Sequence, residues 1–123
     1  LARFLLALKV ALADRGSAPT LIFDEIDTGA GGAVADAIGV RLSRLASGVQ
    51  VIAVTHAPQV AARAERHYLI SKDALGGGKR VATRILELAD DRRREEIARM
   101  LAGAEITAEA RAAAERLIRA ATG

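Results

Sequence analysis

Two adjacent carboxylates, Asp24 and Glu25, close the apolar run Leu21-Ile22-Phe23, and an imidazole, His56, follows a second apolar run over residues 49–55 (VQVIAVT). Carboxylates at the end of a buried strand are costly unless something uses them. A magnesium–nucleotide site is the natural user. Asp24 suits the ion, held through water because Mg²⁺ keeps much of its hydration shell. Glu25 suits the orientation or deprotonation of an attacking water. His56 can donate a hydrogen bond to a phosphate oxygen that gathers charge during phosphoryl transfer. Each residue alone also has a plainer reading. The acids could cap a turn in solvent, and a histidine ahead of Pro58 could simply start a helix. The three together favour nucleotide hydrolysis.

That chemistry requires all three groups on one edge, and the elements around them supply it. The spacing predicts a strand over 20–26, a glycine-rich turn over 28–32, a helix over 33–46 and a second strand over 49–55. Two parallel strands joined by a right-handed crossover end on the same rim, where open sheets bind their ligands. A short helix to about residue 66 and a strand over 68–71 continue the alternation, which implies a third parallel strand. Gly76-Gly77-Gly78 turns the chain, and 81–88 is expected to return as an antiparallel edge strand. Two helices, 91–101 and 107–121, close the sequence. Ahead of all this, residues 1–13 could pass for a signal peptide. Lys9 interrupts the apolar stretch, and Leu1, Phe4, Leu5, Leu8 and Leu12 follow helical spacing, so an amphipathic helix is expected. The fold class is α/β, a mostly parallel sheet flanked by helices with an antiparallel edge hairpin.

The composition narrows the function further. The chain has 123 residues, a net charge of +3 and no cysteine, so disulfides, zinc fingers and thiol chemistry are excluded. Charged residues make up 27%, which excludes an integral membrane protein, and the lack of cysteine fits a reducing cytoplasm. Only Phe4, Phe23 and Tyr68 are aromatic, and alanine supplies much of the apolar share, so the core is expected to be thin. Positive charge is scattered, not concentrated as in a nucleic-acid module. The run Asp91-Arg92-Arg93-Arg94-Glu95-Glu96 could touch DNA, but it reads better as a solvated helix start laced with Arg–Glu pairs. No G-x-x-x-x-G-K-[ST] phosphate loop occurs in the chain. The acids and the histidine for hydrolysis are therefore present without a cradle for the triphosphate.

LIFDEID resembles the Walker B strand and adjacent catalytic glutamate of the ATP-binding-cassette ATPases, and VIAVTHAP resembles the strand that ends in their switch histidine. Transporter ATPases continue the acidic pair with Pro-Thr-Ser and a Leu-Asp, which DEIDTGAGG does not. Chromosome-structuring heads share the DEID start but keep that Leu-Asp where this chain has Ala30-Gly31. DEIDTGAGGAVADAIG with VTHAPQVAARAERHYLISK is most similar to the ABC/SMC-like ATPases of bacterial DNA repair, and the resemblance runs over nearly the whole chain.

The resemblance implies that residues 1–123 form the C-terminal portion of an ATPase head: signature helix, Walker B strand, D-loop and switch-histidine strand. It implies Asp24 as the Mg²⁺ residue, Glu25 as the catalytic base and His56 as the γ-phosphate sensor, with ATP as the nucleotide. Asp27, Thr28 and Gly29 fall in the D-loop and are expected to contact a second copy across an ATP-sandwich homodimer. The phosphate loop and a coiled coil are expected elsewhere in a longer protein. The other partner is then the N-terminal half of the same head, which part of the apolar surface would meet. DNA as a partner, and a role in double-strand-break repair, rest on the resemblance alone. At Ala57 the family often carries a larger residue. A head fragment of another ABC engine, or a non-catalytic DNA clamp module, are the competing readings.

Overall fold

The computed structural model describes residues 20–122, Lys79 excepted. The helix expected over 1–13 lies outside the described residues. Strand β1 (Thr20–Asp24) and strand β2 (Gln50–Val54) pair in parallel, Thr20 beside Gln50 and Asp24 beside Val54. The Glu25 N–H donates to the Val54 carbonyl at 2.8 Å and carries the ladder one residue past β1. Between them runs helix α1 (Gly32–Leu45), whose buried Ala35, Ile38, Leu42 and Leu45 follow the three-four spacing of one helix face. That face meets Phe23, which is 1% exposed, with Leu21 and Val51 packed alongside. Burying a phenylalanine of this kind stabilises the fold by roughly 2–3 kcal/mol.

One turn of helix, α2 (Pro58–Ala61), follows β2 with Pro58 in its first turn. It lies against α1 at Gly39, where an added Cβ would stand 3.2 Å from the Gln59 carbonyl oxygen. Glycine at that position is what lets the two backbones approach. Arg63 then reaches back to Asp36 at 3.1 Å.

The next strand departs from the expected architecture. Strand β3 (Tyr68–Leu75) pairs antiparallel with β4 (Arg80–Glu87), and this hairpin is a separate two-stranded sheet among the described residues. The pairing follows from the turn over Gly76-Gly77-Gly78, all three at positive φ, which folds β4 back onto β3. A second difference concerns β1, whose sequence reads as apolar on both faces. Only the α1 side is buried, while Ile22, Ile52 and Val54 on the other side are 63%, 46% and 40% exposed.

Helices α3 (Asp90–Ala102) and α4 (Ala108–Thr122) form an antiparallel pair around Ile97, Ala98, Ala110 and Ala114. Gly103 (φ 82°) ends α3 in the left-handed region. Thr107 caps α4, its hydroxyl accepting from the Ala110 N–H at 3.1 Å. Among the described residues Phe23 and Ile97 are the two large side chains under 2% exposed, and alanines fill much of the remaining interior. The small core expected from the alanine-rich composition follows directly.

Candidate functional site

The parallel register of β1 and β2 brings Asp24, Glu25, Thr55 and His56 to one rim of the sheet. His56 Nε2 lies 2.7 Å from Glu25 Oε1, which sets the imidazole against the carboxylate. The His56 side chain is 90% exposed, so no packing holds it. Asp24 is exposed at the end of β1. Glu25 sits in the left-handed region at φ 51°, the one non-glycine residue to do so among the described residues. Strain of that kind clusters at functional positions because the surrounding structure must hold it.

The turn after Glu25 explains how it is held. Both the Thr28 N–H (3.2 Å) and the Thr28 hydroxyl (2.8 Å) donate to the Glu25 carbonyl, and the Ala30 N–H donates to the Asp27 carbonyl at 2.9 Å. Gly29 takes φ 78°, which completes the tight reversal into α1. Thr28 and Gly29 stand exposed on this turn, whereas Asp27 is turned inward at 7% exposure. The Thr55 hydroxyl donates to Asp27 Oδ2 and accepts the Ala57 N–H at 2.9 Å.

The rim thus unites Asp24, Glu25 and His56, the three residues singled out for hydrolysis, and adds Thr55, which escaped sequence reasoning; Asp27, expected in contact with a second copy, is turned inward. The only available signal was a hydroxyl residue directly before the histidine. Mg²⁺ accepts one or two carboxylates and otherwise keeps water and phosphate oxygens. A single exposed Asp24 beside Glu25 fits that donor chemistry. Among the described residues no three His, Cys, Asp or Glu side chains converge as a cation cage.

A second titratable cluster lies away from the rim. Arg93 Nη2 donates to the carbonyls of Ala61 (3.0 Å), Ala62 (3.2 Å) and Ala64, gripping the end of α2. Burial lowers its basicity and the Asp90 charge opposes that. Burial also pushes His67 below its ordinary value, helped by the Arg93 charge and countered by Glu96. The run 91–96 is structural in part, as read from sequence: Arg99 pairs with Glu96, Arg111 with Glu95 at 2.8 Å, and Arg94 with Glu115 at 3.6 Å. No described helix is long and apolar enough to cross a membrane.

With the geometry described, the comparisons with known proteins define the class. A solved chain from work on the structural biochemistry of ATP-driven dimerization and DNA-stimulated activation of SMC ATPases superposes with a TM-score of 0.65. The match covers 85% of this chain and 60% of that one at 19% identity. The described residues have the fold of part of an SMC ATPase. No protein-family model matches the chain.

Sequence comparison is more specific. The chain is 48% identical over 118 residues to the DNA repair protein RecN of Rickettsia felis, and 47% identical over 118 residues to that of Xylella fastidiosa. The RecN of Halalkalibacterium halodurans is 45% identical over 107 residues. Over nearly its whole length the chain is similar to these RecN proteins. The two longer matches take in 96% of the chain and 21% of each relative, so it spans about a fifth of the length of the curated relatives it matches.

Proposed function

We propose that this chain supplies the hydrolytic rim of an ATPase head in a RecN-type DNA repair protein. The observation that carries the reading is the convergence of Asp24, Glu25 and His56 on one sheet edge, with Glu25 and His56 in contact at 2.7 Å. Asp24 would hold Mg²⁺, which when bound screens the charge of the nucleotide phosphates. Glu25 accepts the proton of the attacking water as the new bond to the γ-phosphorus forms and the bond to the departing ADP oxygen breaks. In the present arrangement the His56 ring lies against Glu25. Once a γ-phosphate oxygen lies in reach, His56 donates to it instead and frees a carboxylate oxygen for the water.

The phosphate cradle is supplied by the rest of the head. We assign the exposed face of Ile22, Ile52 and Val54 to contact with that part, because an apolar sheet face of this kind gains stability when covered. Thr28 and Gly29, exposed on the turn beside Glu25, would face a second copy in an ATP-bound dimer. ATP binding then joins two heads and hydrolysis releases them. DNA is the partner implied by the RecN relatives.

The test is Glu25→Gln in the intact protein. It retains ATP binding and dimers but loses turnover by at least about 100-fold, the usual scale for removing a general base. Steady-state ATPase activity that stayed at the wild-type level would sink the reading. The 123-residue chain alone is expected to give no heat of ATP binding in calorimetry.

A further inference from the structure

Asp27 is the one buried charged or polar residue among the described residues. A carboxylate taken out of water is costly unless it is hydrogen-bonded, so its partner matters. That partner is the Thr55 hydroxyl, which has one hydrogen to give and gives it to Asp27 Oδ2. A lone pair of the same oxygen accepts the Ala57 N–H at 2.9 Å. The hydroxyl therefore spans His56, tying the residue before it to the residue after it. Asp27 in turn belongs to the tight turn that holds Glu25, two residues upstream.

A continuous hydrogen-bonded path thus joins the turn that carries the carboxylate to the turn that carries the imidazole. His56 needs such a path. Its side chain is 90% exposed, so its placement comes from its backbone and from Glu25 alone. We infer that Asp27 and Thr55 are positioning residues that set the Glu25–His56 geometry from beneath, without touching nucleotide. This inference rests on the ATPase reading above and refines it: Asp27 acts within its own subunit, while Thr28 and Gly29 are left to meet a partner.

The experiment is steady-state ATPase kinetics on the intact protein, comparing Thr55→Val, Thr55→Ser and Asp27→Asn, each alone and combined with His56→Ala. Loss of register at a reacting centre costs on the order of 10- to 100-fold in rate. Thr55→Val and Asp27→Asn should therefore lower kcat by that factor, while KM for ATP changes less than about twofold. Thr55→Ser, which keeps the hydroxyl, should recover most of kcat. With His56 already replaced by alanine, Thr55→Val should cost almost nothing more, because it acts through the imidazole. A purely structural role predicts the opposite: losses that add in the His56→Ala background and a smaller folded fraction at unchanged kcat. Wild-type kcat in Thr55→Val, or a full further loss on top of His56→Ala, would overturn the inference. If Thr55→Val does not fold, the same cycle with Asp27→Asn decides. Turnover surviving in Glu25→Gln would instead overturn the ATPase reading, so the two failures are distinguishable.

Discussion

Glu25 holds a conformation that side chains avoid, and the cost can be isolated. At φ 51° its Cβ crowds the following carbonyl, a penalty of about 1–2 kcal/mol for an L-residue. Replacing Glu25 by glycine removes that penalty but adds roughly 0.5–1 kcal/mol of backbone entropy in the unfolded chain. The contact with His56 is also lost. It contributes little, because an ion pair with one partner 90% exposed is weakened by solvent. Glu25→Gly should therefore be as stable as the wild type or more so, by up to about 1 kcal/mol. Glu25→Ala loses the same carboxylate yet keeps the strain, so the gap between the two variants measures the strain less the backbone entropy of glycine. Urea denaturation of the chain, followed by far-ultraviolet circular dichroism, reads that gap directly. A gap of about 1 kcal/mol corresponds to roughly 4–8 °C in Tm for a domain of this size. Both variants should be inactive in the intact protein. An alanine variant more stable than the glycine variant by about 0.5–1 kcal/mol would refute the argument, because the entropy of glycine would then stand with no strain to offset it.

Two further outcomes follow from the cluster beneath α2. Arg93→Ala strips the donors from the carbonyls of Ala61, Ala62 and Ala64 and should cost about 2–3 kcal/mol in urea denaturation. Arg93→Lys should recover less than half of that, since an ammonium lacks the planar fork. For His67, burial and the Arg93 charge disfavour the proton in the folded state, so the unfolded chain takes it up first. Stability is then fully present above the unfolded value of about 6.5, falls as pH drops through it, and levels off below the folded value. The slope is at most about 1.4 kcal/mol per pH unit, and denaturation midpoints at about pH 7.5 and about pH 5.5 in wild type and His67→Gln should show it flatten in the variant.

Asp24, Glu25 and His56 were legible in the sequence because two apolar runs of strand length, separated by a helical period, leave few choices. Parallel pairing puts the residues that follow both runs on one rim. The residues that hold the rim in place were not legible. Asp27 is expected from the resemblance to face a second copy, and its turn inward onto Thr55 shows only in the structure. The run Arg92-Arg93-Arg94 is uniform as text, and tertiary packing alone selects Arg93 to reach α2 while Arg94 turns to Asp91 and Glu115. Residues 68–71 carry the same signature as a buried parallel strand. Their pairing with β4 is the hairpin expected at the glycine turn, but among the described residues that hairpin stands apart from the β1–β2 sheet.

The position of α2 makes it more than a connector. Val60 belongs to the core built on Phe23 and α1, while Ala61, the next residue, belongs to the core built on Ile97 and α4. The two cores therefore meet within one helical turn, and that turn begins two residues after His56. At its start the backbone is fixed by the Ala57 N–H on Thr55, and at its end by Arg93 on three carbonyls. A displacement of α3 is therefore expected to reach the backbone that carries His56 through that one turn. Packed cores respond to such displacement by shifting as units, not by deforming gradually. The site sits on the parallel sheet, and the short helix after His56 is tied to the helical pair as well. Arg93→Ala should therefore alter turnover in the intact protein even though Arg93 lies outside the rim.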